Sequence, residues 1–391
     1  MAVHTRAQRR ANGAGARPRA DSESEQEKQE QEHDEDLAVK PVHPVLDFAF
    51  GVLFISLVGR LSWQLHLDTS DRNTWTEGLA MGLPIGSQSP ARVFGFFLVV
   101  VFVAVEAVKY CSGAVGTLIS STVLARRSLP KQCRDPLRSR LQRQKFTDQV
   151  WQLIVHCSMS YWEWNLIQGT TWWSDPGTAW EPCTIGPGRF EPSDSLRLFI
   201  LMQLAIWTWT GFSCKYLEAR RKDYTSMMTH HCVTIALVLF CYERNQMAFG
   251  MVVLFAHDFS DVFLDLMKIA NYLKLEGPQG LFIVEILFVF NTYVSWVYLR
   301  LYYFPYVIAY QGFYLGFPPR CAHLYDSVYD MPSYVSANIL FAVLECLHVF
   351  WFYLLNRIAW KLVQGVSPKH AGRIEYEGVE GREDNDSSKR K

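Results

Sequence analysis

About eight stretches of this chain are apolar over the roughly 20 residues a helix needs to cross a hydrocarbon core. No other feature limits the fold so severely. The stretches lie near 45–67, 92–120, 146–168, 195–217, 227–243, 247–267, 280–303 and 334–357. Inside a bilayer every backbone N–H and C=O must be paired within the protein, which leaves only helices or a closed barrel. The runs show no strict period-two alternation of the kind barrel strands need. The chain therefore reads as an all-α integral membrane protein of about eight transmembrane helices. Its mean hydropathy is near zero only because polar tails dilute the apolar runs.

Four regions follow. Residues 1–43 hold a basic patch (Arg6, Arg9, Arg10, Arg17, Arg19) and then an acidic run from Asp21 to Asp36. That composition cannot bury a core and is expected to be a disordered cytosolic tail. Ser22 and Ser24 sit among acids, as an acid-directed kinase would require, though a plain solvated tail is the preferred reading. Residues 44–125 carry two N-terminal spans and 126–365 carry six more. Residues 366–391 form a second polar tail ending Lys389-Arg390-Lys391. The first 40 residues are polar and show no signal peptide, so the first span is expected to act as an internal signal-anchor.

The basic loops set the expected orientation. Arg126, Arg127, Lys131, Arg134, Arg138, Arg140, Arg143 and Lys145 cluster in one loop. Arg220, Arg221 and Lys222 fall in another, Lys268 and Lys274 in a third, and Arg357, Lys361, Lys369 and Arg373 follow the last span. The intervening loops 68–91, 169–194 and 304–333 hold only Arg72, Arg189 and Arg320. With eight spans every basic loop and both tails fall in the cytosol. Asn385-Asp386-Ser387 is then a sequon on the wrong side for glycosylation. Cys183 and Cys321 fall on the lumenal side, where oxidation is possible, and whether the two pair is left open. The Trp-rich segment 170–192 (Trp172, Trp173, Trp180) reads as an interfacial loop.

Charge and cysteine content narrow the function. Lys plus Arg equals Asp plus Glu, at 38 each, which argues against a nucleic-acid partner. Nine cysteines without CxxC pairs argue against a zinc site or a disulfide framework.

Ionisable residues inside apolar spans are expensive and point to function. Five of them fall within two consecutive spans: His230, His231, His257, Asp258 and Asp261. Neighbours on a helix point about 100° apart, so only one of His230 and His231 is expected to face a given cavity squarely. His257 and Asp261 share a face at i,i+4, and Asp258, Asp261 and Asp265 form a stripe. A carboxylate beside an imidazole fixes its tautomer, as a general-base or nucleophilic histidine requires. His156 and His348, each alone in its span, read as interhelical hydrogen-bonding contacts. A di-iron site lacks histidines, since Met227 interrupts the nearest HxxHH box. A single zinc on His230, His231, His257 and an Asp is the competing chemistry, and the site is read as metal-free.

These residues resemble the ceramide synthases, the longevity-assurance family of TLC-domain membrane proteins. The family pattern is met in order by Arg221, Asp223, Met227, His230, His231 and Thr234. Asn245, Gly250, His257, Asp258, Asp261, Leu264, Lys268 and Tyr272 then continue it, and Lys145-Phe146 with Trp151 form a further family-like element. Ala248, Asp148 and Gln152 depart from it, where the family has Arg, Glu and Arg. No homeobox-like segment stands between the first spans. The resemblance covers about 145–365 and implies that the last six spans form a TLC-type helical barrel or bundle. It implies N-acylation of a sphingoid base (sphinganine or phytosphingosine) by a fatty acyl-CoA in the endoplasmic reticulum membrane, giving a (dihydro)ceramide. The acyl-CoA is a co-substrate and no cofactor is expected. His230 and His231 would be base or acyl acceptor, with His257, Asp258 and Asp261 orienting and charging the site. Arg221, Lys222, Asn245 and Lys268 would bind substrate, the first two at the phosphates of coenzyme A, with anchoring at the membrane surface an equal alternative for those two. The lumenal loop 304–333 would bear on acyl length. Membrane lipids are implied partners, with a homo- or hetero-oligomer or a small regulatory subunit left open. The alternative is a non-catalytic TLC-domain lipid sensor or carrier, which would not need both histidines and both aspartates.

Overall fold

The computed structural model describes residues 42–71, 89–122, 137, 140–185, 194–218, 221–244, 246–321 and 334–365, and every structural statement below refers to these. Most of both tails, most of the basic loop before residue 140, Arg220, Asn245, Asn385, residues 322–333 and the side chain of Cys183 lie outside them. The helices are α1 Pro44–Asp71, α2 Pro90–Thr122, α3 Arg140–Ile167, α4 Asp194–Tyr216, α5 Tyr224–Glu243 and α6 Met247–Tyr272. Then come α7 Ile283–Val289, a π-helical continuation Phe290–Leu315, α8 Phe317–Cys321 and α9 Tyr334–Val363. A 3₁₀ helix, Pro176–Ile185, bridges α3 and α4. No strand occurs among the described residues.

Six segments are long and apolar enough to cross a membrane: Pro44–Leu67, Pro90–Ile119, Tyr224–Glu243, Met247–Tyr272, Ile283–Cys321 and Tyr334–Val363. The chain is a multi-pass membrane protein. Helices α3 and α4 stand at the third and fourth expected places, with 28 and 23 residues. They fall outside that set of six. In α3 the reason is visible: beside Trp151, Val155 and Met159 it carries polar and charged residues, and it buries Gln149, His156 and Glu163 against other helices.

The seventh span departs from its expected limits of 280–303. Helical structure continues to Cys321, interrupted only at Gly316, so most of the expected loop 304–333 that is described is helix. Pro305 would clash inside an α-helix. Here it lies within a π-helical run of 26 residues, far longer than the usual single-turn bulge. Tyr302, Tyr306, Tyr310 and Tyr314, four apart, stack along its outer side with ring centroids 5.8–6.0 Å apart.

Helix α6 is the hub, packed most extensively on α3 and then on the π-helical segment, with α5, α7 and α4 also touching it. Helices α1 and α2 bury one side, including Leu61, Leu65, Val93 and Val101, in this core and leave Phe48, Ile55, Trp63, Val99 and Val103 exposed, as lipid-facing helices do. Lys215 reaches Asp47 at 2.6 Å and Tyr224 donates to the same carboxylate, joining α1 to α4 and α5. At the far end of α1, Arg60 grips Glu243 through two 2.7 Å hydrogen bonds.

Within the Trp-rich bridge Trp180 is turned inward, while Trp172 and Trp173 are half-buried. Trp180 is 2% exposed, stacks on Phe249 at 4.5 Å and donates its indole N–H to the carbonyl of Gly312. Phe313, Phe317, Tyr334 and Phe341 complete the cluster. A buried indole needs an acceptor. A carbonyl in the π-helical run supplies one, which is why the bridge folds inward. Cys321, beside this cluster, is disulfide-bonded. Cys111, Cys157, Cys214, Cys232, Cys241 and Cys346 are free.

Candidate functional site

A cavity of about 230 Å³ opens between α3, α4, α5, α6, the α7–π segment and α9. One wall is polar, carrying Gln149, Gln152 and His156 from α3, His230 and His231 from α5, and Asp258, Asp261 and Asp265 from α6. The other is apolar, with Met267, Phe288, Trp296, Trp351, Leu355 and Ile358. Arg221, Glu218, Asp223 and Lys268 border it toward the start of α5 and the end of α6.

Both tandem histidines line it, against the expectation that one would turn away. The cavity wraps around α5, so side chains about 100° apart both reach it. Trp207 of α4 packs against both rings, at centroid distances of 5.5 and 5.8 Å, and Trp351 of α9 covers His230 at 5.4 Å. The Nδ1 atoms of His230 and His231 are buried and have no hydrogen-bond partner. Buried polar atoms are ordinarily satisfied, so two bare ring nitrogens on one cavity are suited to a bound molecule or to a proton in transit.

Deeper in, Arg300 of the π-helical segment ties the site together. It is 2% exposed and donates to Asp261 at 2.8 Å, to Ser260 at 2.6 Å and to the carbonyl of His257 at 2.9 Å. Its Nη1 lies 3.2 Å from Nε2 of His348, and that Nε2 is 3.2 Å from Nε2 of His257. Nδ1 of His257 is held by the Val253 carbonyl at 2.6 Å. The shared face of His257 and Asp261 therefore makes no His–Asp pair, because Arg300 claims the carboxylate. The pair forms elsewhere: Nδ1 of His156 lies 2.6 Å from Asp265, which also accepts from Gln149.

A second buried cluster joins α3, α4 and α6. Gln203 donates to Asp258 at 2.7 Å and, over 3.4 Å, to Glu163. Trp207 donates to Oε1 of Gln203 at 3.1 Å, which orients that amide.

Residues 145–357, more than half of the chain, match the TLC domain family. The chain belongs to that family, among the ceramide synthases. It is 30% identical over 250 residues to ASC1-like protein 1 of Oryza sativa subsp. japonica, an overlap of 61% of this chain and 76% of the relative. It is likewise 30% identical over 227 residues to Ceramide synthase LOH1 of Arabidopsis thaliana, covering 56% and 69%. Against human Ceramide synthase 1 it is 27% identical over 278 residues, covering 69% and 75%.

In this TLC-domain protein the cavity gathers His230, His231, Asp258, Asp261, Arg221 and Lys268 from the residues expected at the site. His257 stands behind the wall with both ring nitrogens engaged. Lys222 is half-buried and not part of the lining, and Asn245 lies outside the described residues. The zinc set of His230, His231, His257 and an Asp is not assembled. Among the described residues no group of three or more His, Cys, Asp or Glu is placed to hold a metal ion. Two positions where the chain departs from the family pattern, Asp148 and Gln152, line the cavity, and Asp148 pairs with Lys109 of α2 at 2.7 Å.

Sequence reasoning missed Arg300, Glu163, Gln149 and Gln203, and set His156 and His348 aside as helix contacts. They are helix contacts, yet each touches the site. The available signal was Arg300 and Glu163 themselves, each a charge within an expected span.

Proposed function

We propose that this TLC-domain protein joins a fatty acyl group to the amine of a sphingoid base, using acyl-CoA as donor. Relatives named ceramide synthase support sphingolipid N-acylation in general terms. The observation that carries the finer reading is the pair of unpartnered His230 and His231 nitrogens on a cavity with one polar and one apolar wall. The substrate amine is mostly protonated at neutral pH and must lose a proton before it attacks the thioester. His230 or His231 either takes that proton or accepts the acyl group first as an acyl-imidazole. His257 acts through its backbone and its neighbours, because Val253 and His348 occupy its ring nitrogens. Arg300 holds Asp261 and the His257 carbonyl, and so fixes the α6 face that carries Asp258.

The apolar wall suits a hydrocarbon chain. Arg221, with Lys222 beside it and Lys268 across the cavity, suits the phosphates of coenzyme A. The basic loops favour a mouth facing the cytosol, both tails on that side, and residence in the endoplasmic reticulum membrane. The test is acylation of sphinganine by the purified protein with acyl-CoAs of varied length. Product formation that is lost in both His230→Ala and His231→Ala supports the reading. Full activity in both variants refutes the site.

A further inference from the structure

His156 lines the cavity from α3, on the same polar wall as His230 and His231 of α5, and has no part in the chemistry described so far. Of the three histidines on the lining it alone is bonded to a carboxylate. Its Nδ1 lies 2.6 Å from Oδ2 of Asp265, itself 3% exposed, while Gln149 donates its amide N–H to the other oxygen, Oδ1. An ionised carboxylate only accepts, so Nδ1 carries the proton of that bond. A carboxylate behind an imidazole fixes its orientation and leaves the far nitrogen, Nε2, for the chemistry. Nε2 of His156 has no hydrogen-bond partner among the described residues.

Charge decides what Nε2 carries. With a proton on Nδ1 alone the pair is a net anion inside a membrane core, where an uncompensated charge is very costly. A second proton, on Nε2, makes the pair neutral. The wall around it holds more carboxylate than cation: Asp261 is answered by Arg300, but Asp258 only by the uncharged amide of Gln203. No lysine or arginine among the described residues forms an ion pair with Asp265. Nε2 therefore offers an N–H to the cavity.

We propose that His156 is a catalytic residue of the acyl transfer, its Nε2–H donating to the acyl carbonyl oxygen while Asp265 carries the balancing charge. The inference rests on the N-acylation reading above and leaves His230 and His231 as base or acyl acceptor. In the step, the attacking nitrogen forms a bond to the acyl carbon and the carbonyl pair moves onto oxygen. That oxyanion accepts the hydrogen bond from Nε2. The pair then returns to re-form the C=O, the C–S bond breaks, and sulfur leaves as thiolate with the bonding electrons. Of the two protons the ammonium loses on becoming an amide nitrogen, His230 or His231 passes one to the thiolate and the other to water. His156 keeps both its protons throughout, so the balance needs no further reactant. A fixed donor aimed at an oxyanion, away from bulk water, is among the largest contributions to acyl transfer.

The experiment compares sphinganine acylation by wild type, His156→Asn and His156→Gln, with each rate expressed per folded molecule from thermal unfolding in detergent. The asparagine amide takes the place of Nδ1 and can hold Asp265 but reaches no further. The glutamine amide extends to the place of Nε2 and presents an N–H there, yet cannot take up a proton. His156→Asn lowers kcat about 100-fold at an unchanged KM for acyl-CoA, and His156→Gln recovers part of that loss. Wild-type kcat in His156→Asn overturns the proposal, because holding Asp265 would then be enough. A His156→Gln variant no better than His156→Asn also overturns it, because the ring would then be taking up a proton. In both cases wild-type activity leaves the N-acylation reading standing. Wild type inert on every sphingoid base removes that reading, and the proposal with it.

Discussion

The two ends of the bundle are built by opposite rules. Around Trp180, aromatic rings from the 3₁₀ bridge, α6, the π-helical segment, α8 and α9 fill the interior, and the buried indole N–H is satisfied. Around His230 and His231 the same helices leave a cavity, and ring nitrogens stay bare. Between them lies a layer in which Phe304 packs edge-on against both His257 and His348, with centroids 5.1 Å away in each case. One end is packed as a protein interior is, at close to crystal density. The other leaves a cavity of about 230 Å³ between the helices. The difference teaches that charge in this membrane core is concentrated where the packing stops.

Changes at the two ends should therefore fail in different ways. The largest effect is expected from His231→Ala and His230→Ala, which should lower acylation about 1000-fold and leave the thermal unfolding of the detergent-solubilised protein little changed. Arg300→Met should damage both properties, because it strands Asp261 and Nε2 of His348. A loss of about 3–5 kcal/mol is expected from breaking such a buried pair, read by thermal unfolding, with activity lost in the surviving folded fraction. Trp180→Ala should cost about 3–5 kcal/mol of stability yet keep the activity of each folded molecule. If it abolished turnover at unchanged stability, the contrast between the ends would break. Gly312→Ala is milder. A Cβ there would meet Pro176 at 2.8 Å and Phe249 at 3.1 Å, and overpacking of that kind costs about 1–3 kcal/mol. The smallest effect concerns Cys321. If its disulfide partner is Cys183, Cys183→Ser should abolish the shift in gel migration on reduction; a shift that persists sends the bond elsewhere.

Much of this was legible beforehand because hydrophobic length and intramembrane charge are local properties. The six strongly apolar spans and the cluster on α5 and α6 could be read directly. The places where the reading went astray are those where the partner is remote in sequence. Spacing put His257 and Asp261 on one face but could not say that Arg300 would take the carboxylate. Trp180 reads with Trp172 and Trp173 as part of one interfacial loop, because composition does not reveal that Gly312 offers its indole an acceptor 132 residues away. Apolar content places the seventh span at 280–303, whereas a π-helical run carries the helix through Pro305 to Leu315.

What the sequence determined alone is that the chain must be helical and that Asp258, Asp261 and the histidines sit within its apolar spans. The cost of bare peptide groups and of charge in hydrocarbon leaves few other arrangements. The tertiary structure decided which of these groups meet: His156 with Asp265, Arg300 with Asp261, Gln203 with Asp258, and His230 and His231 with open space. A buried charge settles where crossing helices bring its partner, and those crossings are set by the packing of whole helices rather than by any spacing along one of them.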